Sequence, residues 1–212
     1  MIIQQLFQNP QFFLVWIVAI VYAITIHEFS HAFAAERLGD HTAKGMGRLT
    51  LNPLSHLDPL GSLMLVIVGF GWGKPVPFNP MFLKYKRWGP AIISLAGPIS
   101  NIVSMIVFGL LLKVLYGNGI IGQENLLTLF LVALIQINII LAVFNLIPIP
   151  PLDGSKLLYS FLSNRYLQFK MMLERNGPIF LIGLIIIDSL MPGSFLGSIF
   201  SGLTTFVFRI FS

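Results

Sequence analysis

Apolar residues in this chain gather in long uninterrupted runs at 11–35, 90–116 and 126–147, with a fourth at 178–191 that continues with more polar character to 208. Each approaches the ~20 residues a helix needs to cross a hydrocarbon core of about 30 Å, so the pattern predicts about four transmembrane helices. The first run has neither Pro nor Gly from Gln11 to Leu38 and stops at Gly39-Asp40, an ending with glycine just past the last turn. Residues 40–59 are more polar, contain Pro53 and Pro59, and read as a loop. The run at 60–72 is too short to cross as a helix. The following GWGKPVPFNP (71–80) has two glycines and three prolines, which suits a strand or hairpin better than a helix. The expected fold is an all-α polytopic membrane protein with about four transmembrane helices plus a short re-entrant hairpin and β-strand segment around 60–80. No soluble appendage or internal repeat is evident, so residues 1–212 are expected to form one membrane domain.

Charge decides between crossing and re-entry for the short run. Arg37, Lys44 and Arg48 precede it, Lys74, Lys84, Lys86 and Arg87 follow it, and Lys156, Arg165, Lys170 and Arg175 follow the run at 126–147. If the short run returns to the side it left, these eleven of the thirteen Lys and Arg residues share one face. If it crosses, they are split. Because basic residues concentrate in cytoplasmic loops, the re-entrant arrangement is favoured, with the N-terminus outside and the loops in the cytoplasm.

Composition agrees: 56% of the residues are hydrophobic and only 10% charged, against roughly 25% charged in soluble domains. The net charge of +5 would suggest nucleic acid in a soluble protein, but here it resides in the connections between spans, and no nucleic-acid partner is expected. Residues 1–10 carry no Lys or Arg, so the first run is expected to be retained rather than removed as a signal peptide. The absence of cysteine excludes disulfides, thiolate nucleophiles and Cys-type metal sites. Any metal must be held by His and carboxylate.

His27-Glu28-Phe29-Ser30-His31 forms an H-E-x-x-H pattern on the first predicted helix. The i, i+4 spacing puts both imidazoles on one face, one turn apart, where both can bind one zinc, and the intervening glutamate is suited to act as general base towards an attacking water. His27 falls about 24 Å along a helix that enters near residue 11, so the motif sits below the surface near the cytoplasmic side. Ionisable groups at such depth cost a few kcal/mol each and are functional candidates. The alternative is a helix end whose polar residues snorkel to the interface.

A catalytic zinc takes three protein ligands and leaves one position open. Asp153 is the leading candidate for the third. It follows a long apolar span in NLIPIPPLDG (145–154), whose three prolines and glycine cannot continue a regular helix, and irregular backbone at membrane depth is tolerated where it lines a cavity or is buried in protein. The residues alone leave open a second reading, in which Asp153 caps a helix starting near Gly154. His41 and His56 read as solvated loop histidines, and Asn101 as an interhelical hydrogen-bonding residue or one approaching the site. The segment 160–175, with Arg165, Lys170 and Arg175 among apolar residues, reads as an amphipathic surface helix.

HEFSH, NPLSHLDPLG (52–61), GWGKPVPFNP, LAGPISN (95–101) and NLIPIPPLDG, in that order over residues of about 20 to 160, together resemble the site-2 protease family of intramembrane zinc peptidases. The resemblance implies that His27, His31 and Asp153 bind one Zn2+, that Glu28 is the catalytic base, and that Asn145 positions substrate or supports the oxyanion, a role suited to an amide donor. It implies substrates that are single-span membrane proteins, with residues 71–80 offering a strand edge to an unwound segment. It points to the cytoplasmic membrane of a prokaryote, with an adaptor protein or a homodimer as candidate partners. Better-known members carry inserted peptide-binding or nucleotide-sensing domains, for which this chain has no room, so substrate choice is expected to rest on the membrane domain or a partner.

Two other classes compete with the hydrolase. A non-catalytic metal-binding scaffold has no need of the base at Glu28. A divalent-metal transporter would need further polar residues along a path, for which Asn101, Gln136 and Asn138 are a thin supply.

Overall fold

The computed structural model describes residues 8–68, 71–191 and 193–211. Its helices are α1 (Pro10–Arg37), α2 (Thr42–Gly45), α3 (Pro59–Val68), α4 (Gly89–Gly117), α5 (Leu126–Asn145), α6 (Gly154–Phe161), α7 (Leu167–Leu190) and α8 (Phe195–Phe211), with 3-10 turns at Pro53–Ser55 and Asn164–Tyr166. The helices α1, α4 and α5 are each long and apolar enough to cross a membrane. The helices α7 and α8 qualify as a fourth span only as a pair, and they meet at 81°. Asp188, buried near the end of α7, accepts the Leu196 amide at 3.0 Å and the Ser194 hydroxyl at 2.5 Å. It thereby satisfies an otherwise unpaired donor at the start of α8. The surface helix expected at 160–175 is divided instead: α6 ends at Phe161 and α7 begins at Leu167.

Local chemistry sets the limits of α1. The Asn9 side chain accepts from the Phe12 amide at 3.1 Å, and Pro10 occupies the first turn, where its missing N–H costs nothing. At the other end Gly39 takes φ 95°, a left-handed conformation that lets the chain reverse so that the Asp40 amide bonds back to the Ala35 carbonyl at 3.0 Å. Within the helix the buried positions include 15, 19, 23, 27, 31 and 35, an i, i+4 stripe on one face. Its outer part, Val15, Ala19, Ile20 and Ala23, packs on Ala133, Leu134 and Ile137 of α5. The alanines allow close approach of backbones, which is how helices associate where lipid removes the hydrophobic drive. Continuing the same stripe inward, His27 and His31 are held in the interior between helices. A second cluster joins Leu112 of α4, Leu131, Ile135 and Ile139 of α5, and Val207 and Phe211 of α8.

Among the described residues around 60–80, the chain returns against the base of α3, and the expected strand is not formed. The helix α3 runs out, and residues 71–73 come back against its base: a Cβ on Gly61 would run into the Trp72 carbonyl, and one on Gly71 into the Gly61 carbonyl. The connection at 69–70 lies outside the described residues. Among the described residues the pairing is a single antiparallel bridge, Leu57 with Gly73, beside which the Lys74 amide donates to the His56 carbonyl at 2.8 Å. Pro75 and Pro77 have no N–H to give, so the ladder cannot extend in the chain direction.

Candidate metal centre

The helices α1 and α4 run antiparallel past one another, and their polar positions interlock. On α4, residues 93, 97 and 101 recur every four and face α1. The Nδ1 of His31 donates to the Ile93 carbonyl at 2.7 Å, and the Nδ1 of His27 donates to Oδ1 of Asn101 at 2.6 Å. Asn101 is fully buried, and its amide orientation is set by its donors: Nδ2 gives to Oδ1 of Asn138 at 2.7 Å and to the Ala23 carbonyl at 3.3 Å. Asn138, also fully buried on α5, gives its own Nδ2 to the Leu134 carbonyl at 2.7 Å. Three helices are thus joined by a fully satisfied polar chain that ends on the imidazole of His27. Gly97 packs against the two rings. A Cβ there would lie 2.5 Å from Nε2 of His31 and 2.6 Å from Nε2 of His27.

With both Nδ1 atoms used as donors, both Nε2 atoms present lone pairs. They point at Asp153, whose Oδ2 lies 3.2 Å from each. One ligand atom from each of the three side chains falls within 4.8 Å of the others. The two imidazoles are buried and the carboxylate is 20% exposed. With both imidazoles neutral, three acceptors turn inward, and they repel unless a metal ion or a proton lies between them. The donor set, two neutral imidazoles and one carboxylate, is the chemistry of a catalytic zinc site with a position left for water. The outer nitrogens fixed by Asn101 and by the Ile93 carbonyl give each ligand a set tautomer and orientation.

Asp153 reaches the site from the connection between α5 and α6. Gly154 permits this, because a Cβ there would lie 2.6 Å from the Ile147 carbonyl and collide with that of Leu146, so the 146–154 turn closes only with glycine. Although Asp153 occupies the position before α6, its side chain makes no capping hydrogen bond. Of the two readings left open by the residues, the carboxylate follows the one that faces the histidines.

Glu28 is partly buried on α1, with one carboxylate oxygen, Oε2, shielded and unpaired. Gly73 leans on it: a Cβ there would lie 3.4 Å from Oε1 of Glu28. Asn145, at the end of α5, donates its amide to the Leu141 carbonyl of its own helix at 3.0 Å. His41 is an exposed loop residue, as expected, and pairs with Glu36 at 2.7 Å. His56 departs from expectation. It is fully buried, with Nε2 donating to the Thr50 carbonyl at 2.7 Å and Nδ1 unpaired. The contribution of Gly97 to the site is not legible in the sequence, because it depends on the packing of α4 against the two histidines of α1.

The sequence model of "Peptidase family M50" matches residues 114–184, a stretch that includes Asn145 and Asp153. The chain is 41% identical to "Putative zinc metalloprotease YwhC" of Bacillus subtilis (strain 168), over 67% of this chain and 66% of that protein. It is 36% identical to "Putative zinc metalloprotease Rip2" of Mycolicibacterium smegmatis, over 62% of this chain and 51% of that protein. The chain therefore spans between about half and just under two thirds of the lengths of these relatives. No solved structure matches it significantly.

Proposed function

Because the chain belongs to peptidase family M50, the site-2 protease family, we propose that it is an integral-membrane zinc metalloprotease that hydrolyses peptide bonds of single-span membrane proteins within or beside the bilayer. The observation that carries this reading is the convergence of the Nε2 atoms of His27 and His31 on Oδ2 of Asp153, each at 3.2 Å. These three side chains hold the metal. Bound zinc supplies Lewis acidity, lowering the pKa of a water and polarising a carbonyl oxygen.

The protein's own groups do the rest. Glu28 lies one residue from the first ligand with Oε2 unpaired. It takes a proton from the attacking water at that oxygen and returns it to the leaving amine nitrogen. The buried cluster of His27, Asn101 and Asn138 keeps His27 in one orientation through the cycle. Asn145 turns its amide from Leu141 to the substrate and stabilises the developing oxyanion. Residues 71–80, lying over Glu28, receive an unwound substrate segment along their free edge. The basic loops place the N-terminus outside and the site towards the cytoplasm, and substrate choice falls to this membrane domain, an adaptor or a second copy.

The test is cleavage of a panel of tagged single-span substrates by detergent-purified protein, comparing wild type with Glu28→Gln and Asp153→Ala, with bound zinc assayed in parallel. Zinc-dependent cutting that both variants lose supports the reading. Cutting that survives Glu28→Gln, or a wild-type protein that retains no zinc, overturns it.

A further inference from the structure

Arg48 is a buried cation whose role the site described above leaves unassigned. It is 5% exposed and lies in the loop after α2. One guanidinium nitrogen, Nη2, donates to the Lys74 carbonyl and, at 3.3 Å, to that of Pro75. The Nε is buried and unpaired. A buried guanidinium is costly unless its donors are used, and here those of Nη2 go to main-chain carbonyls of one short segment. The His56 carbonyl receives the Lys74 amide at 2.8 Å, and the His56 ring is itself anchored to Thr50. The loop of residues 48–57 therefore holds residues 74 and 75 at both their amide and their carbonyl groups. The gripped segment is the one whose Gly73 rests on Ile24 and Glu28 of α1, with a Cβ at 73 falling 3.2 Å from Ile24 Cγ2 and 3.4 Å from Oε1 of Glu28. Burial lowers the pKa of Arg48, and the field of the Glu28 carboxylate opposes that shift.

We infer that Arg48 is a positioning residue: its guanidinium clamps the carbonyls of Lys74 and Pro75 and so holds residues 73–75 as a fixed wall over Glu28, against which substrate docks. The docking part of this inference rests on the protease reading, whereas the clamp itself does not. Without the clamp, prolines 75 and 77 leave this segment too few donors to hold itself in a ladder. Arginine is suited to the task because the planar guanidinium fork fixes the direction of the two N–H groups on Nη2 towards the adjacent Lys74 and Pro75 carbonyls, while the lysine ammonium is a point charge on a flexible stem.

The experiment uses the full chain in detergent. Hydrogen exchange at the Lys74 amide is measured in wild type, Arg48→Gln and Arg48→Lys, together with zinc content and the kinetics of cleavage. Expected for Arg48→Gln are unchanged zinc content, Lys74 exchange faster by about tenfold or more, and KM raised about tenfold with kcat changed less than about threefold, as befits loss of a docking surface. Arg48→Lys should fall between the two in both readouts. Lys74 protection that persists in Arg48→Gln overturns the clamp, whatever the activity. Faster exchange with an unchanged KM overturns the docking role. Should Arg48→Gln fail to fold, Arg48→Lys decides alone: wild-type exchange and KM in that variant would show that charge, not the fork, matters, and would overturn the proposal. If no variant, wild type included, cuts any substrate, the protease reading fails while the exchange result still judges the clamp.

Discussion

Nδ1 of His27 lies 2.6 Å from Oδ1 of Asn101, a residue 74 positions later in the chain on the facing helix. Since Nδ2 of Asn101 is committed to Asn138 and to the Ala23 carbonyl, Oδ1 can only accept, and His27 must present Nε2 to the metal side. Replacing Asn101 with Leu should therefore weaken zinc affinity by roughly 10–100-fold while leaving all three ligands in place. Zinc retention against a graded series of chelators measures this, and retention equal to wild type would count against the orienting role.

Gly97 packs against both imidazoles, and a methyl group there would lie 2.5–2.6 Å from both Nε2 atoms. Gly97→Ala should lose zinc and cleavage together. Gly183→Ala and Gly202→Ala, where an added Cβ meets nothing within 4 Å, should retain both. Zinc content by elemental analysis distinguishes this crowding from general destabilisation.

Three inward-facing acceptors also predict that the metal stabilises the fold. Chelation should lower Tm by roughly 3–10 °C in wild type, reversibly on adding zinc. Asp153→Ala should have a lower Tm that chelation barely changes. A wild-type Tm that ignores chelator would mean that the site is not filled in the purified protein.

Asn145 presents a separable case, because its amide touches none of the ligands and bonds to Leu141 instead. On the proposed role, Asn145→Ala should keep its zinc and its Tm but lose about 10²–10³-fold in kcat. Loss of zinc in this variant would assign Asn145 a structural role.

Asp40 ties the end of α1 to the segment before α4, accepting the Thr42 amide at 3.0 Å, the Thr42 hydroxyl at 2.5 Å and the Asn79 amide at 2.6 Å. Burial alone would raise its pKa, but the hydrogen bonds from Thr42 and Asn79 outweigh it and hold the carboxyl below its usual 3.8. A lowered folded pKa contributes stability that is present above the unfolded value and is lost as pH falls through the folded one. The Tm advantage of wild type over Asp40→Asn should thus be constant near neutrality and shrink below pH 3.8. An advantage that persists at the acid end would show that the carboxylate charge is not what holds the loop.

What depends on near neighbours and on composition is legible in the chain alone. Three spans follow from the length and apolarity of their runs, since a helix closes its own hydrogen bonds within each segment. The pairing of His27 with His31 follows from the same 3.6-residue geometry, whereas the strand expected at 71–80 is not formed among the described residues. Tertiary structure decided everything that joins distant segments. NLIPIPPLDG allowed Asp153 to cap α6 or to face the histidines, and only the turn closed at Gly154 selects between them. His56 looked like a loop histidine because the segment around it is polar, yet it is fully buried, with its ring bonded to the Thr50 carbonyl. Asn101 reads as any membrane asparagine until α4 is laid antiparallel on α1. Then an ordinary interhelical hydrogen bond becomes the one that orients a ligand, because direction in space, unlike periodicity, is not encoded by neighbours.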